Sequence, residues 1–255
     1  MKSIRLRAAQ ANLLYHDIPG SGSPLVFIHG LGCASSCDYP AVASDPALAG
    51  RRIFLVDLLG SGFSDRPGEF GYSVADHART IAEFIAQLAL DAIDLFGHSM
   101  GGSVAIAAAS LIGHRVRNLA LGEPNLDPGG GSFSRKIASM SEADYVAHGH
   151  DDLVRGARLE GNDAWAASLS VSAPFAVHRG AKSLVAGSNP TWRELLYGLP
   201  IPRTVFFGEA SLPSNADAKR LPQAGVNVGV VPGAGHSMSS ENPHGLAAVL
   251  RRALS

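Results

Sequence analysis

The stretch Gly97-His98-Ser99-Met100-Gly101 constrains this chain more than any other, because it sets a serine between two glycines at the join of two elements. Ile93-Asp94-Leu95-Phe96 before it reads as a short, mostly buried strand, and residues 102–109 after it read as a helix of small side chains. A strand that turns directly into a helix through G-x-S-x-G leaves room for little beyond glycine two positions either side of the serine. Such a turn pushes the hydroxyl out at the carboxyl end of a sheet, over a helix N-terminus whose free N–H groups receive negative charge. Five residues alone are a weak signal. The strand and helix around them give the match its weight.

Short apolar runs alternate with longer helical segments, which predicts an α/β fold with a mainly parallel central sheet flanked by helices. Residues 5–10 and 12–18 read as an opening hairpin. Residues 25–28 form a buried-strand run ending at His29-Gly30, and residues 53–56 form another ending at Asp57. Segment 73–90 carries Ile81, Phe84, Ile85 and Leu88 at helical spacing behind a serine cap. Residues 116–121, 205–207 and 226–231 supply further strands, and 245–253 a closing helix. From Glu123 to Leu199 the alternation stops. Leu126-Asp127-Pro128-Gly129-Gly130-Gly131 excludes a regular element, and helical patches follow at 141–147, 151–159, 164–169 and 192–197. The expected organisation is a core of residues 1–123 and 199–255, with a mostly helical insertion, 124–198, lying over the serine as a cap.

A chain of 255 residues, 46% hydrophobic and 17% charged, is long and apolar enough for one large domain with a buried core. Its 21 basic and 22 acidic residues nearly cancel and form no long run, which removes the electrostatic footprint of a nucleic-acid binder. The same balance gives no reason to expect an acidic membrane surface or a polyanionic substrate. Two cysteines, Cys33 and Cys37, are too few for a disulfide scaffold or a Cys-rich zinc site, and are expected as packed, reduced thiols. The charged N-terminus lacks the apolar segment of a signal peptide, and no apolar stretch is long enough to span a bilayer. A soluble cytoplasmic protein is therefore expected. His148-Gly149-His150-Asp151-Asp152 reads as a solvated helix start, since no further ligands stand at zinc-like spacing.

A serine hydroxyl is a poor nucleophile at neutral pH unless a base takes its proton. His236 is the strongest candidate. It lies in Gly233-Ala234-Gly235-His236-Ser237, directly after the last strand run and at the same sheet edge as Ser99. The ordinary alternative is a loop histidine held by backbone hydrogen bonds. His244 follows Pro243 at the start of the last helix and is expected in solvent. An oxyanion is best held by two N–H donors. Met100 supplies one, and the loop His29-Gly30-Leu31-Gly32 supplies the other from Leu31. His29 and His98 read as structural, holding their loops by hydrogen bonds.

With these pieces in order the chain resembles the α/β-hydrolase fold family. His29-Gly30-Leu31-Gly32, Asp57-Leu58-Leu59-Gly60-Ser61-Gly62-Phe63-Ser64, Gly97-His98-Ser99-Met100-Gly101 and Gly235-His236 match its landmarks in sequence order. The resemblance implies the order serine, acid, histidine, and a structural role for Asp57 and Ser64. The acid is where the pattern departs. Many relatives carry G-x-x-D after the next-to-last core strand, and here that reads Gly208-Glu209-Ala210-Ser211. Glu209 is at the wrong offset, and Asp217 comes later on what reads as a solvated helix. The fold's other acid position follows the strand after the elbow helix, as some haloalkane dehalogenases resemble, and there stands Glu123. Glu123 is the leading candidate for the acid and Asp217 the alternative. Otherwise Glu123 is a strand-end carboxylate bound to the cap.

The resemblance implies a serine hydrolase cleaving a carboxylic ester or lactone through an acyl-enzyme on Ser99, with no cofactor and a small-molecule substrate. The serine speaks against haloalkane dehalogenase and epoxide hydrolase chemistry, which in this fold uses a nucleophilic aspartate. Carbon–carbon bond hydrolysis, perhydrolysis and acyl transfer use the same triad and stay open, as does a slow-turnover ligand-binding receptor. Trp165, Phe175, Trp192 and Tyr197 could line a substrate pocket. For each taken singly, packing onto the core is the expectation.

Overall fold

The computed structural model describes residues 1–212 and 215–254. Its strands are β1 (Lys2–Leu6), β2 (Ala11–Ile18), β3 (Ser21–Ile28), β4 (Arg51–Val56), β5 (Ile93–His98), β6 (Val116–Gly122), β7 (Arg203–Gly208) and β8 (Asn227–Val231). The principal helices are α1 (Val74–Gln87), α2 (Met100–Ile112), α3 (Ser132–Ala138), α4 (His150–Leu159), α5 (Asp163–Ser170), α6 (Pro174–Ala186), α7 (Trp192–Gly198), α8 (Asn215–Gln223) and α9 (Pro243–Ala253). The strands form one sheet in the order β1-β2-β4-β3-β5-β6-β7-β8. Only the β1–β2 and β2–β4 pairs are antiparallel. Leu6 pairs with Ala11, so residues 7–10 make the hairpin turn instead of extending the first strand as expected.

Side chains alternate across the sheet and build a core on each face. Val26 and Ile28 of β3 face one way, with Val56, Leu95 and the buried side of α1. Leu25 and Phe27 face the other, with Phe96, Phe206 and Leu250 of α9. Burying each such side chain contributes about 1.5–3 kcal/mol. Ser73 caps α1 reciprocally, its hydroxyl accepting from the Asp76 N–H while the Asp76 carboxylate accepts from the Ser73 N–H.

Helices α3 to α7 all lie between β6 and β7, and several share a core of their own that includes Ile137, Tyr145, Leu153, Leu169 and Val177. Neither α3 nor α6 is legible as a helical patch in the sequence. Helix α6 starts on Pro174 and carries Gly180 at its centre, which hides a helical period behind two breaker residues. His150 is buried, with its ring between Tyr145 Oη and the Leu169 carbonyl, which corrects the expected solvated helix start. Cys33 and Cys37 are free thiols, and Cys37 is exposed, where packing was expected. Among the described residues no helix is long and apolar enough to cross a membrane.

Candidate active site

Strand β5 runs into α2 through Ser99, whose φ of 53° and ψ of −120° are unusual for a residue with a side chain. The Ser99 N–H donates to the Gly122 carbonyl at 2.8 Å, tying the turn to the end of β6. The flanking glycines are required by close approach. A Cβ on Gly97 would meet the Gly101 carbonyl, and one on Gly101 would meet the carbonyls of Ile28 and His29. Backbone strain at such a turn costs on the order of 1–3 kcal/mol and is characteristic of functional sites.

Strand β6 ends at Gly122, and Glu123 leaves it with φ of 41°. That turn brings the carboxylate to the end of β7, where Oε1 accepts from the Gly208 N–H at 2.9 Å and from the Ser211 hydroxyl. Oε2 lies 2.6 Å from His236 Nδ1. An ionised carboxylate only accepts, so Nδ1 carries the proton and Nε2 is left as the basic nitrogen. Burial works to raise the Glu123 carboxyl, but the hydrogen bonds from His236, Ser211 and Gly208 outweigh it and hold the group below its ordinary range.

The loop after β8 is fixed from several sides. Glu209 accepts from the Gly233 N–H at 2.8 Å, and the Glu241 carboxylate accepts from the Gly235 N–H. His98 Nε2 donates to the His236 carbonyl at 2.8 Å, so the residue before Ser99 tethers the loop that carries His236. Burial, followed by repulsion from His236, pushes His98 down to about 3, which keeps this tether neutral. His29 is structural in the same way. Its Nε2 accepts from the Leu58 N–H at 3.0 Å and its Nδ1 donates to the Gly30 carbonyl at 2.9 Å. Asp57 accepts from the Ser36 N–H and hydroxyl and the Phe63 N–H, and Ser64 Oγ donates to the Asp57 carbonyl at 2.6 Å.

Ser99, His236 and Glu123 line one cavity of about 500 Å³, which Phe133, Trp165 and Leu184 also line. Ser99 Oγ has no hydrogen-bond partner among the described residues, and nucleophile–base contacts tighten when a substrate is bound. The Leu31 N–H likewise has no acceptor among the described residues, and Met100 opens α2, where N–H groups are free of helix partners. Asp217 is not in this constellation. It pairs with Arg193 at 3.1 Å. His244 is exposed and pairs with Asp45. All four aromatic residues pack as expected, Phe175, Trp192 and Tyr197 with the main core and Trp165 against the core of the helices between β6 and β7, and Trp165 lines the cavity as well. Phe133 and the Ser211 hydroxyl are further participants. Ser211 had a signal, the G-x-x-S that stands where G-x-x-D is common. Among the described residues no group of three or more His, Cys, Asp or Glu is placed to hold a metal ion.

A family model described as the alpha/beta hydrolase fold matches residues 23–236. A 2-hydroxy-6-oxo-2,4-heptadienoate hydrolase of Pseudomonas putida is 36% identical over 107 residues, which are 42% of this chain and 38% of that protein. The match therefore spans well under half of that relative. A thermophilic esterase from Thermogutta terrifontis superposes with a TM-score of 0.79 at 23% identity, covering 99% of this chain and 97% of the other. An enol-lactonase from Burkholderia xenovorans superposes with a TM-score of 0.81 at 18% identity, covering 99% of each chain. At these identities the two structures share the fold.

Proposed function

This chain belongs to the α/β hydrolase fold family, and on that premise we propose that it is a serine hydrolase cleaving a carboxylic ester or a lactone through an acyl-enzyme on Ser99. Ser99 Oγ attacks the carbonyl carbon while His236 Nε2 takes its proton, and Glu123 stabilises the resulting imidazolium. The N–H groups of Leu31 and Met100 hold the oxyanion. Collapse breaks the bond to the alkoxide, which leaves with the proton from His236 as an alcohol or, for a lactone, as the tethered hydroxyl. Water, deprotonated by His236, then attacks the acyl-enzyme and releases the acid and Ser99. No cofactor enters these steps. Residues 124–198 serve as a cap over the cavity.

The observation that carries this reading is the 2.6 Å contact between Glu123 and His236, on a loop beside a serine held at an elbow. Carbon–carbon bond hydrolysis is the second reading, supported by the 36% identity to the dienoate hydrolase and served by the same three side chains. Hydrolysis of short-chain nitrophenyl esters and a lactone panel by the wild type and Ser99→Ala tests the proposal. Turnover of at least one substrate in the wild type and its loss in Ser99→Ala is expected. Failure of all of them, with cleavage of a dienoate, would transfer the assignment to the second reading.

A further inference from the structure

Residues Gly30-Leu31-Gly32-Cys33 form a tight turn, closed by the Cys33 N–H on the Gly30 carbonyl at 3.2 Å. Gly32, its third residue, has φ of 66°, which makes the turn type II. Gly30 stands directly against the elbow, since a Cβ built on it would lie 3.4 Å from Ser99 Cβ. A type II turn differs from a type I turn by rotation of its central peptide, here the one carrying the Leu31 carbonyl. A glycine at the third position leaves both shapes open. A contact to the Leu31 carbonyl from outside the turn biases the choice.

That choice comes from the helices between β6 and β7. Trp165 Nε1 of α5 donates to the Leu31 carbonyl at 3.1 Å. The same helix closes on Gly32, where a Cβ would come within 2.6 Å of Leu169 Cδ1 and 3.4 Å of Trp165 Nε1. Gly180 of α6 covers both residues whose N–H groups are assigned to the oxyanion, as a Cβ there would lie 3.0 Å from Leu31 Cδ1 and 3.4 Å from Met100 Sδ. Phe133 of α3 packs against the Trp165 ring with centroids 4.7 Å apart, and both rings line the cavity.

We propose that Trp165 is a positioning residue for the reaction: its indole N–H holds the Leu31 carbonyl, and so fixes the turn that presents the Leu31 N–H to the oxyanion. The inference rests on the serine hydrolase reading above. Without that bond the Leu31 carbonyl, and the Leu31 backbone with it, is no longer held against the cap, and the Leu31 N–H loses its fixed direction toward the oxyanion, so the bond acts on the transition state more than on the bound substrate. The cap is then part of the catalytic apparatus as well as a cover.

The test is the steady-state kinetics of Trp165→Phe and Trp165→His on an ester that the wild type turns over, with the rate of inactivation by a serine-directed phosphonate. Trp165→Phe keeps a ring and removes the donor. It is expected to lower kcat about 10-fold with KM within about 2-fold, less than the roughly 100- to 1,000-fold cost of deleting an oxyanion donor itself. Phosphonate inactivation should slow by a similar factor, and Trp165→His, which keeps a ring N–H, should recover part of kcat. If Trp165→Phe does not fold, benzothienylalanine at position 165, which keeps the indole shape without the N–H, decides by the same kcat criterion. A raised KM with unchanged kcat would overturn the inference and make Trp165 a pocket wall only. An inert wild type would instead remove the serine hydrolase reading, which is a separate outcome.

Discussion

Ser211 donates its hydroxyl hydrogen to Glu123 Oε1, while His236 Nδ1 lies against Oε2 of the same carboxylate. The two residues come from different strand ends. Because β6 and β7 are parallel neighbours, with Gly122 paired to Phe206, the residue after one and the turn after the other reach the same place. Two strand ends therefore bring side chains to the same point beside His236. In this chain one holds the carboxylate and the other holds a donor to it.

Ser211→Ala removes one of the three donors that keep the Glu123 carboxyl low. The carboxyl pKa should rise, so activity on the acidic side should be lost at higher pH than in the wild type, and kcat should fall by up to about 10-fold. A kcat–pH profile superposable on that of the wild type would show that the Ser211 bond does not bear on the acid.

Glu123→Gln keeps the shape of the acid but cannot stabilise a protonated His236. A loss of kcat of about 100- to 10,000-fold is expected, and Asp217→Asn should stay within about 2-fold because Asp217 pairs with Arg193. Large loss in Asp217→Asn alone would reverse the assignment.

The core and the elbow were legible because their signals are local. A four-residue apolar run that ends at glycine, or a serine between glycines, carries its own explanation. Glu123 was reachable by the same route, through the absence of an aspartate at position 211. What resisted was the stretch between β6 and β7. Helix α6 has Pro174 and Gly180 where a periodic reading looks for helix formers, yet Gly180 sits close against Leu31 and Met100. Trp165 could not be separated from ordinary packing residues either, because its partner is a backbone carbonyl 134 positions away.

His77 is 3% exposed, and burial, then repulsion from His29, pushes it from 6.5 down to about 3. The unfolded chain takes the proton first, so its contribution to stability is present above pH 6.5 and is lost as pH falls toward 3. The slope should approach 1.4 kcal/mol per pH unit for this one proton. Denaturant unfolding across that range should show the dependence, and His77→Phe, if it folds, should flatten it by about one proton. An equal slope in both proteins would contradict this.

Gly101→Ala forces a Cβ into the Ile28 and His29 carbonyls, which are backbone and cannot swing aside. The variant should unfold more easily by about 1–3 kcal/mol and lose turnover with the displaced elbow. Wild-type stability in a thermal melt would refute the close-approach explanation.

In the proposed reaction Ser99 forms a covalent bond with its substrate's acyl group. Intact-mass and peptide mass spectrometry after exposure to a serine-directed phosphonate reads that bond out. One phosphonyl adduct on the peptide that contains Ser99, and none in Ser99→Ala, is expected. An unmodified wild type, or an adduct on another residue that persists in Ser99→Ala, would contradict it.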